Sequence, residues 1–187
     1  MEEKKTDRRT AKTQKAITNA FTALLAKKEL DKITVREIAE IADINRATFY
    51  KHYLDVYDLY DKVEQEILVD WSMLILRLQE LATEDFFSCL VGYVSANRNV
   101  FRMIFSPNAP VALQVKLYRT LEGLFKQMAS ERIGAQLRDE KLSFQTCYRC
   151  QGCLSVLNKW VNDDFRQSED LIVKIISELD ANTAKIL

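Results

Sequence analysis

Two complete helix-start signatures stand eleven residues apart, at Thr34 and Asn45, and this spacing constrains the fold more than any bulk property of the chain. In Ile33-Thr34-Val35-Arg36-Glu37-Ile38, Thr34 can cap the first free amides, Glu37 can reach back as its capping-box partner, and Ile33 can staple onto Ile38. Asn45 supplies the second cap, with Ile44 and Phe49 placed for a second staple. The first helix of the pair therefore ends near Ala42, Asp43-Ile44 turns the chain, and a short helix runs from Asn45 to His52. Upstream, Ile17, Ala20, Phe21, Leu24 and Leu25 share one face of a 3.6-residue period and predict a supporting helix. Two short helices at a tight turn behind a third are the helix-turn-helix arrangement, whose second short helix enters the DNA major groove.

The side chains on that second helix suit the task. Phe49 faces inward by its staple position and Tyr53 follows one turn later, which leaves Arg46, Ala47, Thr48, Tyr50 and Lys51 outside. Arg46 can read guanine N7 and O6, Ala47 or Thr48 can touch a thymine methyl, and Tyr50, Lys51 and His52 can hold phosphates. Free amides at the start of the preceding helix, with the Thr34 hydroxyl, offer a further phosphate site. The basic run Lys4, Lys5, Arg8, Arg9 and Lys12 can reach an adjacent groove or backbone. Charge is distributed accordingly: up to Tyr53, 12 Lys and Arg stand against 8 Asp and Glu, a net of +4, and the neutral total leaves −4 on the remainder. A basic head on an acidic body implies that only the head meets a polyanion.

Beyond Tyr53 the chain remains helical in pattern. Asp55 can cap a helix of about 25 residues in which Tyr60, Val63, Ile67, Leu74, Leu78 and Leu81 recur at intervals of three and four. Further helical patterns cover 84–97, 98–105, 111–132, 142–164 and 168–184, with Ser106-Pro107-Asn108-Ala109-Pro110 as the clearest loop. Only 4 Gly and 2 Pro occur, none before Gly92, so the turn-rich texture of sandwiches and barrels is missing and an all-α fold is expected. The charge shift and helix break place a boundary near Tyr53, giving a head over 1–53 and a body over 54–187. No membrane-length apolar window occurs and the first ten residues are charged, so a cytoplasmic protein is expected. No nucleophile–base pair, phosphate-binding glycine loop or carboxylate dyad occurs at usable spacing, so neither an enzyme nor a cofactor is expected.

The stretch TVREIAEIADINRATFYKHYLDVYDLYDKV, Thr34 to Val63, resembles the signature of the TetR family of bacterial regulators and lies where that family carries it. Ile38-Ala39, Ala42, Thr48-Phe49-Tyr50, His52-Tyr53 and Leu59 all fall in register. The resemblance implies about nine helices, the first three binding DNA and the rest forming a ligand-receiving, dimerising body. By position it assigns Arg46, Ala47, Thr48 and Tyr50 to bases, and Thr34, Lys51 and His52 to phosphates. Two positions depart from the family pattern. Asp43 stands at the turn usually held by Gly, and Val56 replaces a Lys often found at the start of the fourth helix. The segment FQTCYRCQGCLSVLNKWVNDD from Phe144 resembles the family's penultimate helix, and the final helix carries Leu171, Ile172, Ile175, Ile176 and Leu179 as an apolar face for a four-helix interface. A homodimer through the last two helices follows, each copy offering one recognition helix to a half-site of a double-stranded, pseudo-palindromic operator. Repression relieved by an unidentified small-molecule effector is the implied outcome.

Met103, Phe105, Tyr118 and Trp160 are candidates to line the effector site, although aromatic residues at helical spacing more often form plain core. Cys147, Cys150 and Cys153 could chelate a metal or sense redox state, with Cys89 as a further ligand. The same spacing lies on or beside an apolar helical stripe, where cysteine acts as a small buried hydrophobe. A last reading takes the helix-turn-helix as degenerate and the chain as a co-regulator that works through a partner protein.

Overall fold

A computed structural model describes residues 2–81, 83–133 and 140–184. Among them lie nine α-helices and no strand: α1 (Glu2–Leu25), α2 (Val35–Ile41), α3 (Arg46–Tyr50), α4 (Val56–Gln79), α5 (Thr83–Ala96), α6 (Arg98–Ile104), α7 (Val111–Ile133), α8 (Glu140–Asn162) and α9 (Glu169–Ala184). A single 3-10 turn, Leu30–Lys32, joins α1 to α2. The basic run near the N-terminus belongs to the first turns of α1 rather than to a separate arm, and Arg9 and Lys12 are exposed. The side chains of Lys4, Lys5 and Arg8 lie outside the described residues. No helix among the described residues is long and apolar enough to cross a membrane.

The starts of α2, α3 and α4 follow their local chemistry. Thr34 Oγ1 accepts the Glu37 N–H at 3.3 Å while Glu37 Oε2 accepts the Thr34 N–H at 3.1 Å, which closes the capping box. Asn45 Oδ1 accepts the Ala47 N–H at 2.9 Å. Asp55 Oδ1 accepts the Asp58 N–H at 2.8 Å, while Asp58 Oδ2 reaches back to accept the Leu54 N–H at 2.9 Å.

One contiguous core runs through head and body. Ile17, Phe21, Leu25, Ile38, Phe49 and Tyr53 belong to it, and so does the α4 stripe Val56, Leu59, Val63, Ile67, Trp71, Leu74 and Leu78. In the body α4 packs on α5 and α7, α8 lies between α7 and α9, and α9 returns against α5. The head touches the body a second time where α6 packs on α1, and there the Ser106 hydroxyl donates to the Leu25 carbonyl at the end of α1.

Two helix ends use left-handed residues without glycine. Asp43, φ 53°, ends α2, its N–H and that of Ile44 donating back to Glu40 and Ala39. Asp164 and Phe165, φ 60° and 56°, end α8 in the same way on Val161 and Trp160. Packing offsets the cost of the second pair: the buried Phe165 ring meets Trp160 edge-on at 4.9 Å, and the Arg98 guanidinium lies 4.6 Å from its centroid. Between α8 and α9, Arg149 makes a buried two-pronged bond to Asp180, at 2.7 and 2.8 Å.

Removing one partner of such a pair strands the other charge, so Asp180→Ala should lower the unfolding free energy by about 3–5 kcal/mol in a denaturant titration. The double variant Arg149→Met, Asp180→Leu should recover most of that loss. Asp43→Val, which forces a β-branched residue into the left-handed region, should cost about 1–2 kcal/mol in the same titration.

Candidate nucleic-acid interface and effector cavity

The recognition helix is organised around one anchor. Phe49 is fully buried, met edge-to-face by Tyr50 at 5.6 Å and by the tilted ring of Tyr53 at 5.5 Å, and this orients the remaining faces of α3 outward. Arg46, Ala47, Tyr50 and Lys51 are exposed, while Thr48 and His52 are partly exposed. All six lie between Asn45 and Tyr53 on one short segment. Among the described residues Arg46 and Lys51 form no ion pair, which leaves both cations open to a polyanion.

Thr34 is exposed at the start of α2, but its hydroxyl also donates to Glu37 Oε2 at 2.8 Å. The Glu37 carboxylate is held below its usual range by the Lys28 ammonium at 2.6 Å and by Thr34. A phosphate approaching Thr34 therefore meets a hydroxyl already engaged by an anion, with Lys28 as the compensating cation. Arg36 is likewise engaged, on Glu40 at 2.8 Å. At the start of α4, Val56 is buried in the core and the exposed neighbour is Tyr57. A cation at position 56 would have to leave that core to reach solvent.

In the body, a cavity of about 390 Å³ lies among α4, α6, α7 and α8. Phe105 and Tyr118 line it. Met103 and Trp160 do not: Met103 is fully buried core, and Trp160 packs on Phe165 and donates its indole N–H to the Gln167 carbonyl. Trp71, Phe101, Leu154 and the α8 polar groups Gln151, Ser155 and Asn158 share the wall with α7 residues that include Gln114 and Val115. Helical periodicity separates inward from outward positions and carries no signal for which inward positions border a void, so these residues were not legible in the sequence.

The three cysteines of α8 lie in different surroundings. Cys150 and Cys153 are buried, and Cys147 shares a hydrogen bond of 3.5 Å with the Tyr118 hydroxyl. Burial pushes the Cys150 thiol up to about 12 and that of Cys153 higher still. Among the described residues no group of three or more His, Cys, Asp and Glu side chains is arranged to hold a metal ion.

Fold and interface together define an all-helical transcriptional regulator with a helix-turn-helix head. Residues 82–180 match the family TetR_C_8, described as a transcriptional regulator C-terminal region. The chain belongs to the TetR family of transcriptional regulators. A stretch of 64 residues is 39% identical to the HTH-type transcriptional regulator YxbF of Bacillus subtilis (strain 168), covering 34% of this chain and 17% of that protein. Among solved structures, the chain superposes on the dihydroxyacetone kinase operon activator DhaS with a TM-score of 0.60, at 20% identity over 94% of this chain and 97% of that one. A TetR transcriptional regulator from Streptococcus agalactiae 2603V gives 0.61, at 19% identity over 94% and 97%. The fatty acid regulator FadR of Bacillus subtilis, solved in complex with stearoyl-CoA, gives 0.61, at 16% identity over 88% and 95%.

The thiol environments set a labelling order. At neutral pH a maleimide should modify Cys147 and Cys89 in the folded protein, leave Cys150 and Cys153 unmodified, and reach all four after denaturation; peptide mass mapping reads the result.

Proposed function

We propose that the chain binds a pseudo-palindromic DNA operator as a homodimer, represses from it, and releases it when a small molecule enters the body. The observation that carries this reading is the exposed set Arg46, Ala47, Tyr50 and Lys51 arrayed around a buried Phe49 on a helix capped to project its N-terminal end. In this reading Arg46, Ala47, Thr48 and Tyr50 face bases, while Thr34, Lys51 and His52 face phosphates. Dimerisation uses α8 and α9, where Phe144 is 75% and Tyr148 68% exposed, with Leu171 and Leu179 exposed alongside. Apolar exposure on this scale marks a surface that a partner covers. The effector part of the reading is supported by the cavity beneath α8, and by a protein of the same fold that takes stearoyl-CoA. Repression is the direction proposed, although DhaS, of the same fold, is an activator.

The test is a mobility-shift titration on the DNA flanking the chain's own gene. Arg46→Ala should cost about 1–3 kcal/mol on the preferred site and relax sequence preference there, whereas Lys51→Ala should weaken binding across sequences and flatten the salt slope by about one unit. Unchanged preference in the Arg46→Ala, Tyr50→Ala double variant would overturn the base assignment. Tyr148→Glu with Leu179→Glu should convert the dimer to a monomer in light scattering and abolish binding to the two-half-site operator while the helical circular dichroism is kept. Deleting the gene should raise expression from a reporter on that operator; a fall would mark an activator.

A further inference from the structure

The cavity wall carries no charged side chain. Its apolar part joins the rings of Trp71, Phe101 and Phe105 to the aliphatic Ile104, Val115, Leu117 and Leu154, and its polar groups, Gln114, Gln151, Ser155, Asn158 and the Tyr118 hydroxyl, are all neutral. Several of these have other partners. Gln114 donates to the Ile104 carbonyl at 2.7 Å and so ties α7 to α6, Asn158 accepts from Asn162, and Tyr118 is shared with Cys147. Gln151 and Ser155, one turn apart on α8, form no hydrogen bond to another described residue, which leaves an amide and a hydroxyl to meet a ligand. The indole N–H of Trp71 is spent on Thr120 and Leu117, so the tryptophan offers the cavity only its ring.

From this lining we infer that the effector is an uncharged, partly aromatic molecule whose ring lies among Trp71, Phe101 and Phe105 and whose polar end is read by Gln151 and Ser155. The inference rests on the body being an effector receiver and adds the class of ligand. An anionic group drawn in among the buried rings would lose its hydration without meeting a cation in the wall, which costs more than aromatic contact returns. The Tyr118 phenol is kept protonated by its bond to Cys147 and by burial, to which the charge of Glu122 adds, and Glu122 itself pairs with Lys126 at 2.9 Å. A cation would gain from the ring faces but would meet no carboxylate in the wall. The thioester of a coenzyme A, with its phosphates, is thereby disfavoured here although a protein of the same fold holds one.

Three fluorescent probes test this on the full-length protein: neutral N-phenylnaphthylamine, its anionic sulfonate anilinonaphthalene sulfonate, and cationic thioflavin T. The neutral probe should bind about tenfold or more tightly than either charged one, since leaving a charge unpaired costs at least that ratio. Ser155→Trp and, separately, Val115→Trp, both at exposed positions on the rim, should abolish its binding with the circular dichroism unchanged. Gln151→Arg, which places a cation in the wall, should shift the preference toward the sulfonate, raising its affinity relative to that of the neutral probe. Tighter binding of either charged probe by the unmodified protein, or neutral-probe binding unaffected by both tryptophan variants, would overturn the inference. Operator affinity is measured alongside without probe: its absence would sink the regulatory reading while leaving the cavity preference standing.

Discussion

The structure depends on one uninterrupted apolar stripe. From Val56 to Leu78, every third or fourth residue of α4 is buried, and the stripe begins in the core that holds Phe49 and ends in the core that holds Phe125. Without it the head would be one long helix and two short ones of seven and five residues, with too little apolar surface of their own to hold a single arrangement. The exposed residues of α3 are thus positioned by packing that starts in the head and finishes in the body. The second connection, α6 against α1, means that any shift of α6 is felt at the base of the supporting helix.

This division of labour explains what could be read from sequence alone. The head was legible because its determinants are local: a cap, its box partner and a staple all fall within six residues, so Thr34, Glu37, Asn45 and Phe49 specify geometry without knowledge of the rest. The exposed faces of α3 follow from the same signals. The helices of the body were legible from periodicity, with their ends displaced by one or two residues. What periodicity conceals is the third dimension. Met103 and Phe105 lie two residues apart on α6 and its end, yet one fills the core and the other borders a void, because the difference is set by which helices α6 meets. The turn after α8 was equally hidden, since Asp164 and Phe165 carry no glycine to announce a left-handed backbone; the cradle of Trp160, Arg98 and Arg102 that sustains it is assembled from α6 and α8.

The buried Arg149–Asp180 pair bears on the proposed dimer surface in a way its stability cost alone does not suggest. An ion pair with two-pronged geometry tolerates little sliding, so it fixes the register of α8 against α9 and with it the relative heights of Tyr148 and Leu179 on the outer face. Apolar residues of similar volume could hold the two helices together as firmly without that restriction.

The same α4 has a mechanical property that its packing role leaves unstated. Its 24 residues contain neither glycine nor proline, so it behaves as a stiff rod of about 36 Å. A tilt of about 5° at one end of such a rod moves the other by roughly 3 Å, close to the 3.4 Å rise of one base step along a DNA strand. In the proposed two-fold assembly both rods would swing, and the separation of the two recognition helices would change by about twice that amount. A rearrangement too small to disturb any single contact in the body is then large enough to put two reading heads out of phase with the groove.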